Sequence, residues 1–192
     1  MLLKFFKATL IILTLVHTSY VFGQNVRLKA QLILVSGDTL QGQVLAEKNI
    51  VYENMTRESS YNQRIRLVNE SGEKQKFNWK QVKKLELIDL EGKQRVFVQK
   101  DGYPRLLEII YQNKVSWYKN YYYNMANYTQ DVSYEIFDEN GIKYSIGIFN
   151  SKKNKLESLC KEKTQIISFI NNNQMTDENI LKVLIMYESE LK

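Results

Sequence analysis

The feature that most constrains the fold is an alternation of apolar and polar residues with a period of two, which returns repeatedly between short turn sequences. Such alternation is typical of β-strands that bury one face. The first run, Leu28–Leu34, is followed by the turn Ser36–Thr39 and by a second run, Leu40–Val44. Two alternating runs joined by a turn that contains Gly and Asp predict a β-hairpin.

The same pattern continues to residue 149 and predicts further pairs of strands. These pairs are Arg64–Val68 with Lys74–Phe77, Leu85–Ile88 with Val96–Val98, Leu106–Tyr111 with Val115–Tyr123, and Val132–Phe137 with Ile142–Phe149. A short strand is expected at Asn49–Glu53, and the polar segment Glu53–Ser60 is expected to be a loop. About ten strands in consecutive pairs predict an antiparallel meander, built as a twisted sheet, a sandwich or an open barrel.

After residue 150 the apolar residues take the spacing of amphipathic helices. Ser151 can cap a first helical unit, in which a break is expected near Lys163-Thr164, and Thr176 can cap a last helix. Four residues of the last helix are expected to face a core: Ile180, Leu181, Leu184 and Ile185. The sequence therefore predicts two to three C-terminal helices.

The complete chain is thus predicted to have an α+β fold. Residues 24–150 form its β-rich part, and residues 151–192 form a helical tail that packs on the sheet. Because no linker-like segment separates the two parts, we expect a single domain from residue 24 to residue 192.

The first 23 residues have the three-part pattern of a cleavable secretory signal peptide. Two lysines precede the apolar segment Ala8–Val16, and Val21 and Gly23 occupy the positions that a signal peptidase requires before Gln24. The apolar segment is much shorter than the roughly 20 residues of a spanning helix. We therefore expect an exported protein whose mature chain has no transmembrane segment.

Removal of the signal peptide restricts the chemistry of the mature chain. The only histidine, His17, would leave with it, and a Ser–His or Cys–His catalytic pair needs an imidazole. The only cysteine, Cys160, cannot form an intramolecular disulfide or by itself a zinc site, and is expected to be buried among helical residues. We therefore expect no metal ion and no cofactor.

These exclusions favour a non-enzymatic binding or interaction protein, with two alternatives. The first is a small hydrolase that uses two carboxylates, which would need a cleft with two facing acidic side chains. Its candidates include Glu108, Asp131, Glu135 and Asp138. The second is a lipocalin-like carrier, in which the sheet would enclose an apolar cavity.

The most unusual segment is rich in aromatic residues and supplies the candidate binding residues. These are Trp117, Tyr118, Tyr121, Tyr122, Tyr123 and Tyr128. Aromatic rings beside Asn and Lys side chains suit a sugar ring or a protein partner, so a glycan or another envelope protein is the expected partner. On a strand these rings would point to both faces, and the alternative is a strand that is buried on both sides.

The charge of the chain gives no sign of a nucleic-acid partner. The formal net charge of +6 falls to +4 without the two lysines of the signal peptide. Basic residues are scattered among acidic ones along the sequence, whereas a nucleic-acid binder usually concentrates them on one element. Together with the export signal, this pattern argues against nucleic-acid binding.

Several local features together resemble small exported β-rich proteins of the Bacteroidetes, many of which have no known function. The features are the signal peptide that ends at Gly23-Gln24, the Ser36–Val44 hairpin, the stretch Trp79-x-x-Val82-x-x-Leu85, and the helical tail. The resemblance implies a location in the Gram-negative envelope, either in the periplasm or at the outer membrane and cell surface. It implies no catalytic residues.

Overall fold

The computed structural model describes residues 25–49, 54–126, 129–147 and 151–191. The signal peptide predicted at residues 1–23, most of the strand predicted at Asn49–Glu53, and the candidate binding residue Tyr128 lie outside the described residues.

The described chain contains eleven strands followed by three α-helices, so the predicted α+β class is confirmed. The strands are β1 (Asn25–Leu34), β2 (Thr39–Lys48), β3 (Thr56–Arg57), β4 (Arg64–Val68), β5 (Lys74–Asn78), β6 (Val82–Ile88), β7 (Gln94–Val98), β8 (Leu107–Gln112), β9 (Ser116–Asn124), β10 (Thr129–Phe137) and β11 (Lys143–Ile146). The helices are α1 (Lys152–Leu159), α2 (Thr164–Asn172) and α3 (Asp177–Ser189).

All eleven strands belong to one antiparallel sheet. Its order is β11-β10-β9-β8-β7-β6-β1-β2-β4-β5, and β3 pairs with β2. Strands β6 to β11 form the predicted meander, in which each strand pairs with the next in sequence. The chain departs from a simple meander after β5, because β6 crosses over to pair with the free side of β1.

The segment predicted as a loop at Glu53–Ser60 is partly regular structure. Thr56 and Arg57 pair with Lys48 and Glu47 of β2, and residues 58–60 form one turn of 3₁₀ helix. A two-residue strand is too short to show a period, so its sequence carried no strand signal.

The helix caps follow the sequence closely. The Ser151 side chain accepts a hydrogen bond from the backbone N–H of Asn154, and that of Thr176 accepts one from Asn179. The expected break lies between Leu159 and Thr164. Among the described residues, no helix has the length and apolar character that crossing a bilayer would require.

One expectation for the last helix was wrong. Ile185 is half-exposed, whereas Val183 and Tyr187 are buried beside Ile180 and Leu184. The buried face of α3 is therefore rotated toward residues 183 and 187, which belong to the core cluster of the C-terminal half.

One face of the sheet, here called the inner face, can be followed from strand to strand by the register. Cross-strand partners point to the same side of an antiparallel sheet. A continuous row of partners runs through Leu40, Leu32, Leu85, Phe97, Glu108, Lys119, Tyr134 and Ile146. Both hydrophobic cores lie on this inner face.

The two cores divide the sheet into halves. In the N-terminal half, strands β1, β2, β4, β6 and β7 surround a cluster that includes Leu32, Tyr61, Ile65 and Phe97. In the C-terminal half, the three helices cover a second cluster that includes Trp117, Ile136 and Ile166. Cys160 is fully buried in this second cluster, as predicted, and burial raises the pKa of its thiol to about 12.

Candidate functional site

Half of the candidate aromatic residues are core residues in the structure. Trp117 is 0% exposed, Tyr118 is 5% exposed and Tyr121 is 7% exposed. Trp117 packs beside Tyr134 beneath the helices, with ring centroids 5.7 Å apart. Tyr118 points to the opposite face and meets Phe137 edge-on. The strand is therefore buried on both sides here, and these rings offer no surface to a ligand.

The remaining aromatic candidates differ from one another. Tyr122 is half-buried, and the Arg105 guanidinium lies 5.8 Å from its ring centroid. Tyr123 is 41% exposed, and the Arg57 guanidinium lies 5.0 Å from its ring centroid. Of the described candidates, only Tyr123 presents a largely accessible ring.

The Tyr121 hydroxyl belongs to a buried ionic group, here called the Arg95 cluster, which consists of Glu58, Arg95, Glu108 and Tyr121. Arg95 binds Glu108 through Nε (2.6 Å) and Nη2 (2.7 Å), and it donates to Glu58 through Nη1. Tyr121 donates to Glu108 at 2.6 Å. Glu58 lies in the segment expected to be a loop, and no sequence pattern distinguished it.

Electrostatics explain why this cluster is stable in the interior. Burial alone would lower the pKa of Arg95, but hydrogen bonds and charges from Glu108, together with nearby Tyr61 and Glu58, raise it well above its usual value. Burial and the negative charge of Glu108 raise the pKa of Tyr121. The guanidinium is therefore charged and the phenol neutral at any physiological pH.

The other candidate carboxylates also have intramolecular partners. Glu135 accepts hydrogen bonds from the hydroxyls of Tyr103, Ser133 and Ser145. Asp138 closes the β10–β11 turn by accepting from two backbone N–H groups, and Asp131 accepts from Asn124.

The arrangement of these acids bears on the two alternative functions. Glu58 and Glu108 are bridged by Arg95 instead of facing each other across a cleft, and the cavity beside Glu58 and Arg95 measures only about 60 Å³. The interior of the N-terminal half is filled by large side chains such as Tyr61 and Phe97. A hydrolase would need an open carboxylate pair, and a carrier would need an empty apolar interior.

A different surface emerges from the strand register, on the outer face of β1, β2, β4 and β5. Lys29 pairs with Gln43, which pairs with Val68, which pairs with Lys74, so these side chains share one face. Residues two apart along a strand point the same way. The face therefore carries six cationic residues, here called the basic face: Arg27, Lys29, Arg64, Arg66, Lys74 and Lys76.

The cations of the basic face have no ion-pair partner within the described residues, although Glu70 and Glu86 line the same cleft as Arg27 and Lys29. None of the six takes part in an ion pair there. Arg66 donates one hydrogen bond, to the side-chain oxygen of Asn25. Glu47 is the carboxylate on this face of β2, and it is already paired with Arg57. The face thus carries an excess of positive charge.

The sequence contains a pattern that indicates this surface, although it is hard to see among the other charged residues. Each of three strands contains two cations separated by one residue: Arg27 and Lys29, Arg64 and Arg66, Lys74 and Lys76. The spacing of two predicts that each pair shares a face. That the three pairs share the same face depends on the strand order, which is a property of the fold.

Two shallow clefts lie on the basic face. One, of about 560 Å³, lies over β1 and β2. Its lining includes Arg27 and Lys29, the acidic residues Glu70 and Glu86, and the amides Gln31, Gln41 and Gln43. The other, of about 610 Å³, is lined by Arg64, Arg66, Lys76 and Asn78. Both volumes fall in the usual range of ligand-binding clefts.

Within the described ranges, no three His, Cys, Asp or Glu side chains lie close enough together to hold a metal ion.

No protein-family model, curated protein or solved structure matches the chain.

Proposed function

We propose that this protein is an exported, non-enzymatic protein of the Gram-negative cell envelope that binds an anionic polysaccharide on its basic face. The single observation that carries the proposal is the set of six cations, gathered on one open sheet face without carboxylate partners among the described residues. The export half of the proposal rests on the signal-peptide pattern of residues 1–23.

The dimensions of the basic face favour an extended ligand over a single small anion. From β1 to β5 the face spans three strand spacings, or about 14 Å. Cations on one strand that are two residues apart are separated by about 7 Å. A chain with repeated negative charges can contact several of these positions at once, and each contact releases counterions.

The neutral groups on the face favour a sugar polymer. Gln31, Gln41 and Gln43 line the cleft beside Arg27 and Lys29. Amide side chains offer both donors and acceptors, which match the hydroxyl groups of sugars. A nucleic acid would also satisfy the charge of the face, and the expected export of the protein favours a polysaccharide over a nucleic acid.

Binding of defined polymers to the purified protein tests the proposal. We expect a polyuronate to bind and neutral dextran of similar length not to bind. Replacing both Arg66 and Lys76 with Gln should weaken polyuronate binding about tenfold at low salt, because two contacts with carboxylates of the polymer are lost from the β4–β5 end of the face. The control replaces Lys155 and Lys161 with Gln, which removes equal charge near the helices and should leave affinity within about twofold.

Three outcomes would refute polysaccharide recognition. If dextran bound as tightly as polyuronate, binding would not depend on charge. If the Arg66/Lys76 variant bound polyuronate as tightly as the unmodified protein, the basic face would not be the binding surface. Tighter binding of a single-stranded oligonucleotide than of the polyuronate at the same salt concentration would assign the face to nucleic acid.

Export is tested separately by expression of the full chain in a Gram-negative host. We expect the protein in the envelope fraction, with a mature N-terminus at Gln24 by mass spectrometry. Retention of residues 1–23 in the cytoplasmic fraction would contradict the export proposal.

A further inference from the structure

One end of the basic face opens into a smaller pocket around the exposed ring of Tyr123. This pocket, here called the Tyr123 pocket, has a volume of about 300 Å³. Its lining residues are Glu47, Arg57, Ser59, Ser60, Gln63, Arg64 and Tyr123. Glu47, Ser60 and Arg64 also line the cleft of about 610 Å³, so the pocket and the basic face form a continuous depression.

Part of the pocket is a fixed frame. Arg57 pairs with Glu47, and the same guanidinium lies against the Tyr123 ring. The Ser60 hydroxyl donates to the backbone carbonyl of Arg57 and accepts from the backbone N–H of Glu47. These contacts neutralise the carboxylate and hold the ring in place, so the wall of the pocket is preorganised.

The other polar groups of the pocket have no intramolecular partners in the described part of the chain. The side chains of Ser59, Gln63 and Arg64 make no hydrogen bond or ion pair to the described residues, and neither does the Tyr123 hydroxyl. Gln63 and Arg64 are exposed. The pocket thus combines an accessible aromatic face, one unpaired guanidinium, one amide and one hydroxyl.

These groups match the parts of an acidic sugar. The apolar face of a pyranose ring can stack on a tyrosine ring, and a planar carboxylate fits the two parallel donors of an arginine. An amide and a hydroxyl can then bind the remaining sugar hydroxyls. A sulfate or phosphate group also fits the paired donors of an arginine, so a sulfated sugar is the competing ligand in the test.

We infer that the Tyr123 pocket is the subsite that holds one uronic-acid residue of the polysaccharide, with its ring on Tyr123 and its carboxylate on Arg64. This inference rests on the proposed function and adds to it, since it names the sugar class and the residues that bind it. The basic face supplies affinity for the chain, and the pocket holds one of its carboxylate-bearing sugars.

Short ligands separate the pocket from the rest of the face. The probes are a tetragalacturonate, a neutral galactose tetrasaccharide and a sulfated tetrasaccharide, titrated by calorimetry into the purified protein. We expect the tetragalacturonate to bind best. Tyr123→Ala should weaken its binding about tenfold, whereas Tyr123→Phe, which keeps the ring, should stay within about threefold.

Substitutions of Arg64 test the geometry of carboxylate recognition. Arg64→Gln should weaken tetragalacturonate binding about tenfold, and Arg64→Lys, which retains charge but loses the paired donors, should weaken it about threefold or more. Because both positions are exposed, these variants should fold, and circular dichroism melting provides the check.

Different binding results would contradict this inference and the proposed function. If long polyuronate binds through the basic face but Tyr123→Ala and Arg64→Lys leave tetragalacturonate affinity unchanged, only the pocket assignment is wrong. If the sulfated tetrasaccharide binds better than the tetragalacturonate, the assignment of the pocket to a carboxylate-bearing sugar is wrong. If long polyuronate does not bind at all, both the inference and the proposed function are wrong.

Discussion

The outer face of the sheet differs sharply between its two halves. In the C-terminal half, Lys100 and Tyr103, from the segment between β7 and β8, lie against the outer face of β9, β10 and β11. Lys100 lies 4.0 Å from the ring centroid of Phe137, and Tyr103 donates to Glu135. In the N-terminal half, the corresponding face of β1, β2, β4 and β5 carries the basic face, whose cations have no carboxylate partner among the described residues.

This difference separates two uses of polar side chains. In the covered half and in the Arg95 cluster, polar groups are engaged with one another, so their loss should cost stability. On the basic face, like charges lie close together without ion pairs, which contributes nothing favourable to folding. Side chains that do not stabilise the fold are the ones available to a ligand, and the following predictions test that division.

The largest effect is expected for the aromatic residue that is most deeply engaged. Trp117→Ala should destabilise the protein by about 4 kcal/mol, because it empties a fully buried site beneath the helices. Tyr123→Ala, the same class of change on the same strand, should cost less than about 1 kcal/mol. Urea unfolding of the two variants measures the difference in stability. Similar losses of stability would contradict the distinction between the buried Trp117 ring and the exposed Tyr123 ring.

A somewhat smaller effect is expected for the buried arginine. Arg95→Met should destabilise the protein by about 3 kcal/mol, because Glu58 and Glu108 are then left buried without a cation. Arg64→Met, the same substitution on the basic face, should change stability by no more than about 0.5 kcal/mol. Chemical denaturation of both variants checks the prediction, which is wrong if Arg64→Met is the more destabilising change.

An intermediate effect is expected where β4 joins the sheet. A Cβ atom at Gly42 would lie 2.4 Å from the carbonyl oxygen of Val68, so Gly42→Ala must push β4 away from β2. We expect a loss of about 2 kcal/mol and weaker polyuronate binding, because Arg66 and Lys76 shift with β4 and β5. Gly147→Ala, where a Cβ atom would meet nothing within 4 Å, is the matched control. Unchanged stability for Gly42→Ala would mean that β4 does not need this close approach.

The smallest effect is expected at the start of α3, where Asp177 bonds Lys119 of β9 and Tyr134 of β10. Burial alone would raise the pKa of Asp177, but the hydrogen bond and charge of Lys119 lower it below the usual 3.8. The resulting stabilisation is present above about pH 4 and is lost as the pH falls through the lowered pKa. Asp177 is partly exposed, so solvent screening should keep the contribution below about 1 kcal/mol.

Unfolding curves measured as a function of pH test this contribution. Asp177→Asn should have a smaller loss of stability between pH 5 and pH 3 than the unmodified protein, because one carboxylate with a lowered pKa is removed. An acid sensitivity that is identical in the two proteins would show that Asp177 does not link the helix to the sheet in this way.

The local features of the fold could be predicted from the sequence because their causes are local. The turn residues at Ser36–Thr39 and Asp138–Gly141 specify hairpins, and Ser151 and Thr176 cap helices through neighbours three residues away. The crossover from β5 to β6 has no comparable local cause, since it depends on which strands bury their apolar faces together.

The candidate site was harder to predict for the same reason. The aromatic segment is a candidate site because of its composition, but its burial depends on distant parts of the chain. The helices cover Trp117, the β7–β8 segment lies against Tyr118, and Tyr121 belongs to the N-terminal cluster. The paired cations were visible in sequence, yet their assembly on one face depends on β1, β2, β4 and β5 being neighbours. Glu58 could not be found, because its partner Arg95 is distant in sequence.

The most direct test of the central claim is the salt dependence of polyuronate binding. If the six cations of the basic face contact the polymer, the logarithm of the association constant should fall with the logarithm of salt concentration with a slope of about −4. A variant in which all six are replaced by Gln should have a slope near zero and unchanged stability. The matched control carries six Lys→Gln changes elsewhere, at Lys93, Lys114, Lys153, Lys155, Lys161 and Lys182.

The control variant should keep both the slope and the affinity of the unmodified protein, although its net charge falls by the same amount. An equal loss of slope in the two variants would show that only net charge matters. An unchanged slope in the basic-face variant would show that the polymer binds elsewhere. Either result would contradict the claim that the basic face is the binding surface.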